Sequence, residues 1–208
     1  LERARAFAQK NNGEKSYDSY AALVNDPQVD GVYIATPHRF HFENIMLCLN
    51  AGKPVLCEKP LTVNAAETKE LIKTAAAKKV FLMEALWSVY LPIYGQIRQW
   101  LDEGAIGDIK LLTSKFGGDI PLDQADRWLN PELAGGTLLD MGVYPIAISQ
   151  WVMQQNPTSF SVKASLGKTG VDETTAGLLQ YESGAISQFS SNFYNGGANE
   201  FRIFGTKG

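Results

Sequence analysis

The sequence predicts an α/β fold with a partial parallel sheet, followed by an α+β domain with an open, mostly antiparallel sheet. Helical and strand patterns alternate in the first part of the chain, as is typical of parallel βα units. After Trp87 the strand patterns are separated by turns, and one long helical segment at about Gly136–Met153 interrupts them. We therefore expect two domains, at residues 1–88 and 89–208.

The predicted helices of the first domain have recognisable start or stop signals. Gly13 ends the first helix, which is predicted over Leu1–Asn12. Asp18 is expected to cap a second, short helix, and Asn64 with Glu67 fits a capping box at the start of a later one. A further helix places its apolar side chains on one face, namely Phe42, Ile45, Met46 and Leu49.

Three short apolar runs in the first domain are predicted as buried parallel strands. They are Gly31–Ala35, Val55–Cys57 and Val80–Glu84. The domain begins with a helix that no strand precedes, and the chain stops within a strand and turn after Phe201. We therefore expect the sequence to be part of a longer chain, with pieces missing at both ends.

The second domain begins with a helix that has Pro92 in its first turn and Gly104 at its end. Glu182-Ser183-Gly184 is expected to form a hairpin turn between two strands. Pro145 removes one helical hydrogen bond, so a kink is expected there in the long helix. The strands are predicted at Ile109–Phe116, Phe160–Leu166, Thr174–Tyr181, Ala185–Phe193 and Phe201–Phe204.

Composition excludes several classes of partner. The net charge is −3 and the pI is about 5.5, so no global field favours nucleic acid or anionic membranes. No apolar stretch approaches the ~20 residues that span a bilayer. Cys48 and Cys57 make no metal-binding spacing with His38 and His41, and two cysteines form no disulfide framework. We expect no metal, no membrane or nucleic-acid partner, and a reducing, cytoplasmic compartment.

Polar or aromatic groups follow three consecutive strands of the predicted parallel sheet. They are Thr36-Pro37, Glu58-Lys59-Pro60 and Leu86-Trp87. Ligands of open parallel sheets bind outside the carboxyl ends of the strands, and the helix after Thr36-Pro37 points its positive N-terminus at the same crevice. The sequence thus predicts a nucleotide pocket at this edge.

Lys59 is the candidate acid/base of this pocket. Low-dielectric walls and the positive ring of a bound cofactor would disfavour its ammonium form, so that the amine could exchange a proton near neutral pH. A surface lysine after a strand is the equally weighted alternative. Glu58 is compatible with a ribose contact, an ion pair with Lys59 or a solvated carboxylate. A cis bond before Pro60 is one possibility in a tight turn.

Asp140 and Tyr144 are four residues apart and share one helix face, after the glycine pair Gly135-Gly136. They suit a pocket for a hydroxylated ligand, although the pattern alone favours a capping aspartate and a core tyrosine with a locally satisfied hydroxyl. His41 is compatible with a ribose or substrate contact or with a structural role. Trp87, Tyr90 and Trp128 are candidates for the walls of a substrate pocket, or for core.

Four segments, in this order, resemble one family: Ala35-Thr36-Pro37 with His41, Cys57-Glu58-Lys59-Pro60-Leu61, Met83-Glu84-Ala85-Leu86-Trp87, and Gly135-Gly136 through Asp140 to Tyr144. This is the glucose–fructose oxidoreductase / inositol dehydrogenase (Gfo/Idh/MocA) family of NAD(P)-dependent oxidoreductases. Met83–Trp87, Asn130–Gly136 and Tyr144 are most similar to its dimeric dihydrodiol dehydrogenase / D-xylose dehydrogenase branch.

The resemblance implies a partial Rossmann domain and NAD or NADP as cofactor. It implies hydride transfer between the nicotinamide and a hydroxyl or carbonyl carbon of a sugar, polyol or cyclic diol, in a homodimer or higher homo-oligomer formed through the open sheet. Lys59 would be the catalytic acid/base, Tyr144 would share the substrate hydroxyl or donate the proton, and Asp140 would orient the substrate and tune Lys59. The residues lining the cofactor would be Thr36, Pro37, His41, Glu58 and Lys59.

Two departures from the family pattern limit these expectations. The glycine-rich phosphate loop and the residue that selects NAD or NADP are absent from the sequence, so cofactor choice stays open. Ser88-Val89 stands where the dihydrodiol branch has an arginine two residues after Trp87. The alternatives are an NAD-dependent glycosidase of the same fold and a non-catalytic nucleotide-sensing scaffold.

Overall fold

The computed structural model describes residues 2–120, 126–194, 196–197 and 199–208. The chain forms two compact units, one ending at Ala85 and one beginning at Leu86, whereas the sequence places the boundary after residue 88. Within the described ranges, no helix is long and apolar enough to cross a membrane.

The first unit contains a three-stranded parallel sheet, as predicted. Its strands are β1 (Val32–Ile34), β2 (Val55–Cys57) and β3 (Leu82–Glu84), in the order β1-β2-β3. Val55 is paired with Val32 on one side and with Leu82 on the other. The helices are α1 (Glu2–Lys10), α2 (Tyr20–Asn25), α3 (His41–Asn50) and α4 (Ala65–Lys78).

The core of the first unit lies between this sheet and α3 and α4. Its fully buried side chains include Ile45 and Leu49 of α3, Val55 and Cys57 of β2, and Leu71 of α4. Burial of an aliphatic side chain of this size contributes roughly 1.5–3 kcal/mol. The apolar stripes that predicted the helices therefore also fix which helix faces pack on the sheet.

Capping decides where the helices of the first unit begin. The amide of Asn64 and the carboxylate of Glu67 form the predicted cap of α4, with Glu67 N–H donating to Asn64 Oδ1 at 2.9 Å. Ser19, and not Asp18, caps α2, since its hydroxyl accepts from Ala22 N–H at 3.1 Å. Leu1, the predicted start of the first helix, lies outside the described residues.

The second unit is built on a five-stranded sheet of β4 (Ile109–Gly117), β5 (Ser159–Leu166), β6 (Asp172–Gln180), β7 (Ile186–Asn192) and β8 (Glu200–Gly205). The order is β5-β6-β7-β4-β8, in which only the described pair β4 and β7 is parallel. The prediction of an open, mostly antiparallel sheet is confirmed. Gly184, at φ +83°, completes the expected turn between β6 and β7.

The helices of the second unit are α5 (Pro92–Asp102), α6 (Asp126–Leu129) and α7 (Val143–Met153). Helix α7 packs on one face of the sheet, where Ser149 Oγ lies 2.7 Å from Ser187 Oγ. Ile146 and Met153 pack there against the core cluster that includes Leu179 and Phe189.

The predicted long helix is not uniform. A π turn at Leu138–Gly142 precedes α7. Pro145 lies in the first turn of α7, and Met141, four residues earlier and the residue whose carbonyl would accept the N–H that proline lacks, lies in the π turn. The departure from α geometry therefore lies one turn before Pro145, and the kink predicted at Pro145 stays a prediction. A Cβ at Gly142 would approach Leu138 Cδ1 to 2.9 Å, which shows how tightly the turn is packed.

Candidate functional site

The predicted residues of the first unit lie at one edge of its sheet. Thr36-Pro37 follows β1 and Glu58-Lys59-Pro60 follows β2. The two strand ends are tied together, because Glu58 N–H donates to the Ile34 carbonyl at 2.9 Å. The carboxyl ends of neighbouring parallel strands thus present both segments side by side, as a nucleotide crevice requires.

The turn that carries Lys59 is also joined to the end of β3. The Lys59-Pro60 peptide bond is cis, in agreement with the possibility raised by the sequence. Leu61 N–H donates to Glu84 Oε1 at 2.6 Å, which joins the turn to the end of β3. Lys59 itself is half-buried.

Glu58 is held by Tyr33 and by its own turn. The Tyr33 hydroxyl donates to Glu58 Oε1, and Lys59 N–H donates to Oε2 at 3.3 Å. The hydrogen bond to this carboxylate, with burial, raises the pKa of Tyr33 to about 12, so the phenol remains a donor. A carboxylate offers about four lone-pair positions, and the remaining acceptor capacity fits a ribose hydroxyl.

His41 is fully buried, and its ring joins the two strand-end turns. Nδ1 lies 2.8 Å from the Pro60 carbonyl oxygen and Nε2 lies 2.8 Å from the Thr36 carbonyl oxygen. The ring therefore fixes the backbone on both sides of the crevice edge. Cys57, beneath the same edge, is a free and buried thiol whose pKa is raised to about 12 by burial, so it is unreactive at neutral pH.

Asp140 and Tyr144, two of the predicted residues in the second unit, lie on the π turn and at the start of α7. Asp172 of β6, which sequence reasoning missed, fixes this turn, since its Oδ2 accepts from Leu138 N–H at 2.7 Å and from the Thr175 hydroxyl at 2.6 Å. Gly136, at φ +113°, makes the approach possible, because a Cβ there would overlap Asp172 Oδ1.

The structure brings Trp87 and Tyr144 together. Trp87 Nε1–H donates to the Tyr144 hydroxyl oxygen at 3.1 Å, and the two rings meet edge to face. Phe116 stacks on Tyr144 with ring centroids 4.8 Å apart. Sequence reasoning missed Phe116, although the alternation within β4 places it on the same face as the buried Leu112 and Ser114.

A cavity of about 220 Å³ lies beside Tyr144. Its walls combine aromatic and apolar side chains with a few polar groups, as small-molecule sites do. They include Tyr94, Ser114, Phe116, Ile148 and Phe201.

Asp140 contacts two consecutive residues of α6. Its Oδ2 accepts from Trp128 Nε1–H at 3.0 Å, and its Oδ1 lies 3.5 Å from Arg127 Nη2. Trp128 was predicted as a wall of the substrate pocket, and in the structure its indole N–H donates a hydrogen bond to the Asp140 carboxylate. Across the part of the chain that the structure describes, no group of three or more His, Cys, Asp or Glu side chains is arranged to hold a metal ion.

Comparison with known proteins agrees with this geometry in both units. The family model described as "Oxidoreductase family, NAD-binding Rossmann fold" matches residues 1–86, and "GFO/IDH/MocA C-terminal domain" matches residues 94–208. The chain belongs to the Gfo/Idh/MocA oxidoreductase family. Both the family and the fold class expected from the sequence are confirmed.

Curated members of the Gfo/Idh/MocA family similar to the chain include trans-1,2-dihydrobenzene-1,2-diol dehydrogenases. That of Xenopus tropicalis is 42% identical and that of Homo sapiens is 40% identical, each over 209 residues and 100% of this chain. These relatives confirm the branch that the sequence resembles. The chain spans 63% and 62% of their lengths.

Among solved structures of the family, KijD10, a 3-ketoreductase from Actinomadura kijaniata in complex with NADP, is 30% identical with a TM-score of 0.91. The match covers 99% of this chain and 63% of that one.

Proposed function

We propose that the protein is an NAD(P)-dependent dehydrogenase or reductase that acts on a CH–OH group of a sugar, polyol or cyclic diol. The observation that carries the proposal is the pair of turns at the sheet edge of the first unit, where Thr36-Pro37 and Glu58-Lys59 end adjacent parallel strands. Similarity to dihydrodiol dehydrogenases and to a 3-ketoreductase supports this reaction class.

NAD or NADP would be held along this edge by Thr36, Pro37, Glu58 and Lys59. Glu58 supplies the acceptor for a ribose hydroxyl, and the fully buried His41 supports both turns from beneath. When bound, the nicotinamide supplies the carbon that takes or gives the hydride.

In the oxidation direction, the substrate hydroxyl loses its proton as hydride leaves the carbon, and Lys59 Nζ takes that proton. In reduction the proton moves the other way. Tyr144 shares the same substrate oxygen in this proposal. Because Trp87 N–H donates to the phenolic oxygen of Tyr144, it stabilises negative charge there and does not consume the phenol proton.

Asp140 orients the substrate through its carboxylate. The rings of Trp87 and Phe116 both lie against the ring of Tyr144, and this favours a substrate that has an apolar or ring face beside the reacting carbon.

Homo-oligomerisation through the open sheet is the second part of the proposal. Leu111, Leu178, Ile186 and Phe204 are 37–47% exposed. The strand register places them on the face opposite α7, with Leu111 paired to both Ile186 and Phe204. A second copy of the chain is the partner that would bury this row. A cytoplasmic location is consistent with the free thiols of Cys48 and Cys57.

The test is the absorbance of reduced nicotinamide with a panel of polyols and cyclic diols, for the protein and for Lys59→Met. We expect kcat to fall about 10²–10⁴-fold, the range for loss of a general acid/base, while NAD(P)H still binds through Thr36, Pro37 and Glu58. Lys73→Met, an exposed substitution on α4, is the matched control. Unchanged turnover of Lys59→Met would refute its assigned role, and glycoside hydrolysis without net reduction would favour the glycosidase.

A further inference from the structure

Asp140 is held by one short segment through both of its carboxylate oxygens. Trp128 Nε1–H donates to Oδ2 and Arg127 Nη2 lies 3.5 Å from Oδ1, so two neighbouring residues of α6 each contact one oxygen of the carboxylate. The Asp140 side chain is only 10% exposed. In such a position a hydrogen bond to a charged group fixes orientation more firmly than in water.

Trp128 also holds the main chain that leads into the π turn. Its carbonyl oxygen accepts from Gly136 N–H at 2.8 Å. A Cβ at the preceding Gly135 would overlap that carbonyl, so the backbone at Gly135 lies in close contact with the backbone at Trp128. The same residue therefore binds the turn twice, through its backbone at Gly136 and through its indole at Asp140, four residues apart.

The guanidinium of Arg127 lies over the indole ring of Trp128. Its guanidinium carbon lies 4.7 Å from the centre of the Trp128 ring, and Arg127 itself is half-exposed, so solvent screens its charge. Stacking on the ring and contact with Oδ1 together restrict both the ring plane of Trp128 and the rotation of the Asp140 carboxylate. These contacts form a closed triangle of Arg127, Trp128 and Asp140.

We propose that Arg127 and Trp128 are positioning residues, which act on the reaction by holding the Asp140 carboxylate in one orientation. Trp128 then acts through its indole N–H and not as a wall that contacts substrate. This inference rests on the proposed function, because Asp140 is there the group that orients the substrate. Misplacing such a group by a small rotation lowers kcat even though the substrate still binds.

The first experiment needs no activity. The chain has four tryptophans, so its indole ¹H–¹⁵N spectrum is simple, and Trp128→Phe identifies the Trp128 signal. We expect Asp140→Asn to move that signal toward the position of a weaker hydrogen bond. A Trp128 signal that is the same in Asp140→Asn as in the unsubstituted protein would overturn the proposal.

The second experiment measures steady-state kinetics of the protein. Trp128→Phe keeps the ring and removes the N–H, and we expect kcat to fall about 10-fold or more, the loss of one hydrogen bond to a charged group, with KM changed far less. Arg127→Lys should retain more activity than Arg127→Gln. Trp100→Phe, on the exposed side of α5, is the control and should leave kcat unchanged.

A double substitution distinguishes positioning from substrate contact. Trp128→Phe added to Asp140→Asn should cost little beyond Asp140→Asn alone, because both act through one carboxylate. Additive losses, or a rise in substrate KM with unchanged kcat for Trp128→Phe, would overturn the proposal. If the unsubstituted protein shows no nicotinamide-linked turnover, the proposed function fails, and the indole spectrum still decides whether Trp128 holds Asp140.

Discussion

His41 Nε2 lies 2.8 Å from the carbonyl oxygen of Thr36, so a buried ring supports the strand-end turn from below. Its other nitrogen reaches the Pro60 carbonyl at the same distance. One side chain near the start of α3 thereby fixes the backbone of both segments at the crevice edge.

We predict that His41→Phe lowers the free energy of unfolding by about 1–3 kcal/mol. Phenylalanine fills similar space but donates no hydrogen bond, so the carbonyl that accepts the single N–H of the neutral imidazole loses its partner, at a cost of roughly 1–3 kcal/mol. Urea denaturation measures the change. Arg39→Ala, an exposed neighbour, should change stability by no more than about 0.5 kcal/mol, and an equal loss in both variants would contradict the role of His41.

The second prediction concerns acid stability. The Asp26 carboxylate accepts from Lys15 Nζ, from Gln28 N–H and from the Tyr17 hydroxyl, and these bonds hold the pKa of Asp26 well below its usual range. A lowered pKa in the folded state means that this stabilisation is complete above the unfolded-state pKa, ~3.9. It is lost as the pH falls from there through the folded-state value.

Asp26→Asn should therefore lower the melting temperature at pH 7 and flatten its decline in acid. Tyr17→Phe, which removes one of the three donors, should show the same pattern more weakly. Thermal unfolding followed across pH provides the measurement. A melting temperature of Asp26→Asn that falls in acid as steeply as that of the unsubstituted protein would show that Asp26 contributes nothing to the slope.

The third prediction is a stabilising substitution in the second unit. Tyr181 is fully buried in the core beneath α7, and its hydroxyl has no hydrogen-bond partner within the described ranges. Burial raises its pKa, so the group stays neutral. Tyr181→Phe should raise the free energy of unfolding by about 1 kcal/mol, since it removes an unsatisfied buried hydroxyl. Denaturant unfolding tests this, with the exposed Tyr20→Phe as control, and destabilisation would indicate that the hydroxyl has a partner.

The fourth prediction tests the sheet face opposite α7. Phe204→Lys places a charge in the row formed with Leu111 and Ile186, so sedimentation should show a smaller assembly than for the unsubstituted protein. Phe160→Lys is the control. Phe160 is also highly exposed, but it pairs with Leu179 and so lies on the face that carries α7. Equal assembly of the unsubstituted and Phe204→Lys chains would rule out this face as the interface.

Features that depend on local periodicity could be predicted from the sequence. The parallel strands, the hairpin at Gly184 and the cap at Asn64 follow from neighbours in the chain, and all three appear in the structure. The cap of α2 was misplaced by one residue because Asp18 and Ser19 are both good capping residues, and only the backbone decides which is used.

The contacts that organise the candidate site were harder to predict because they join distant residues. Asp172 reaches Leu138 across 34 positions and Trp128 reaches Asp140 across 12. No periodic pattern links such pairs. The close packing of the π turn is of the same kind, since a Cβ at Gly142 would meet both Leu138 Cδ1 and Ser191 Oγ. Such a fit depends on the packed sheet and not on local helix propensity.

The bond from Leu138 to Asp172 has a consequence for how the molecule tolerates change. Side chains along a strand alternate, so a shift of β6 by one residue exchanges its two faces. The register of β6 on β7 follows from the hairpin at Gly184, which pairs Gln180 with Ile186. An insertion or deletion between Asp172 and this hairpin would therefore carry the carboxylate away from the turn that it anchors, and length variation is better tolerated elsewhere.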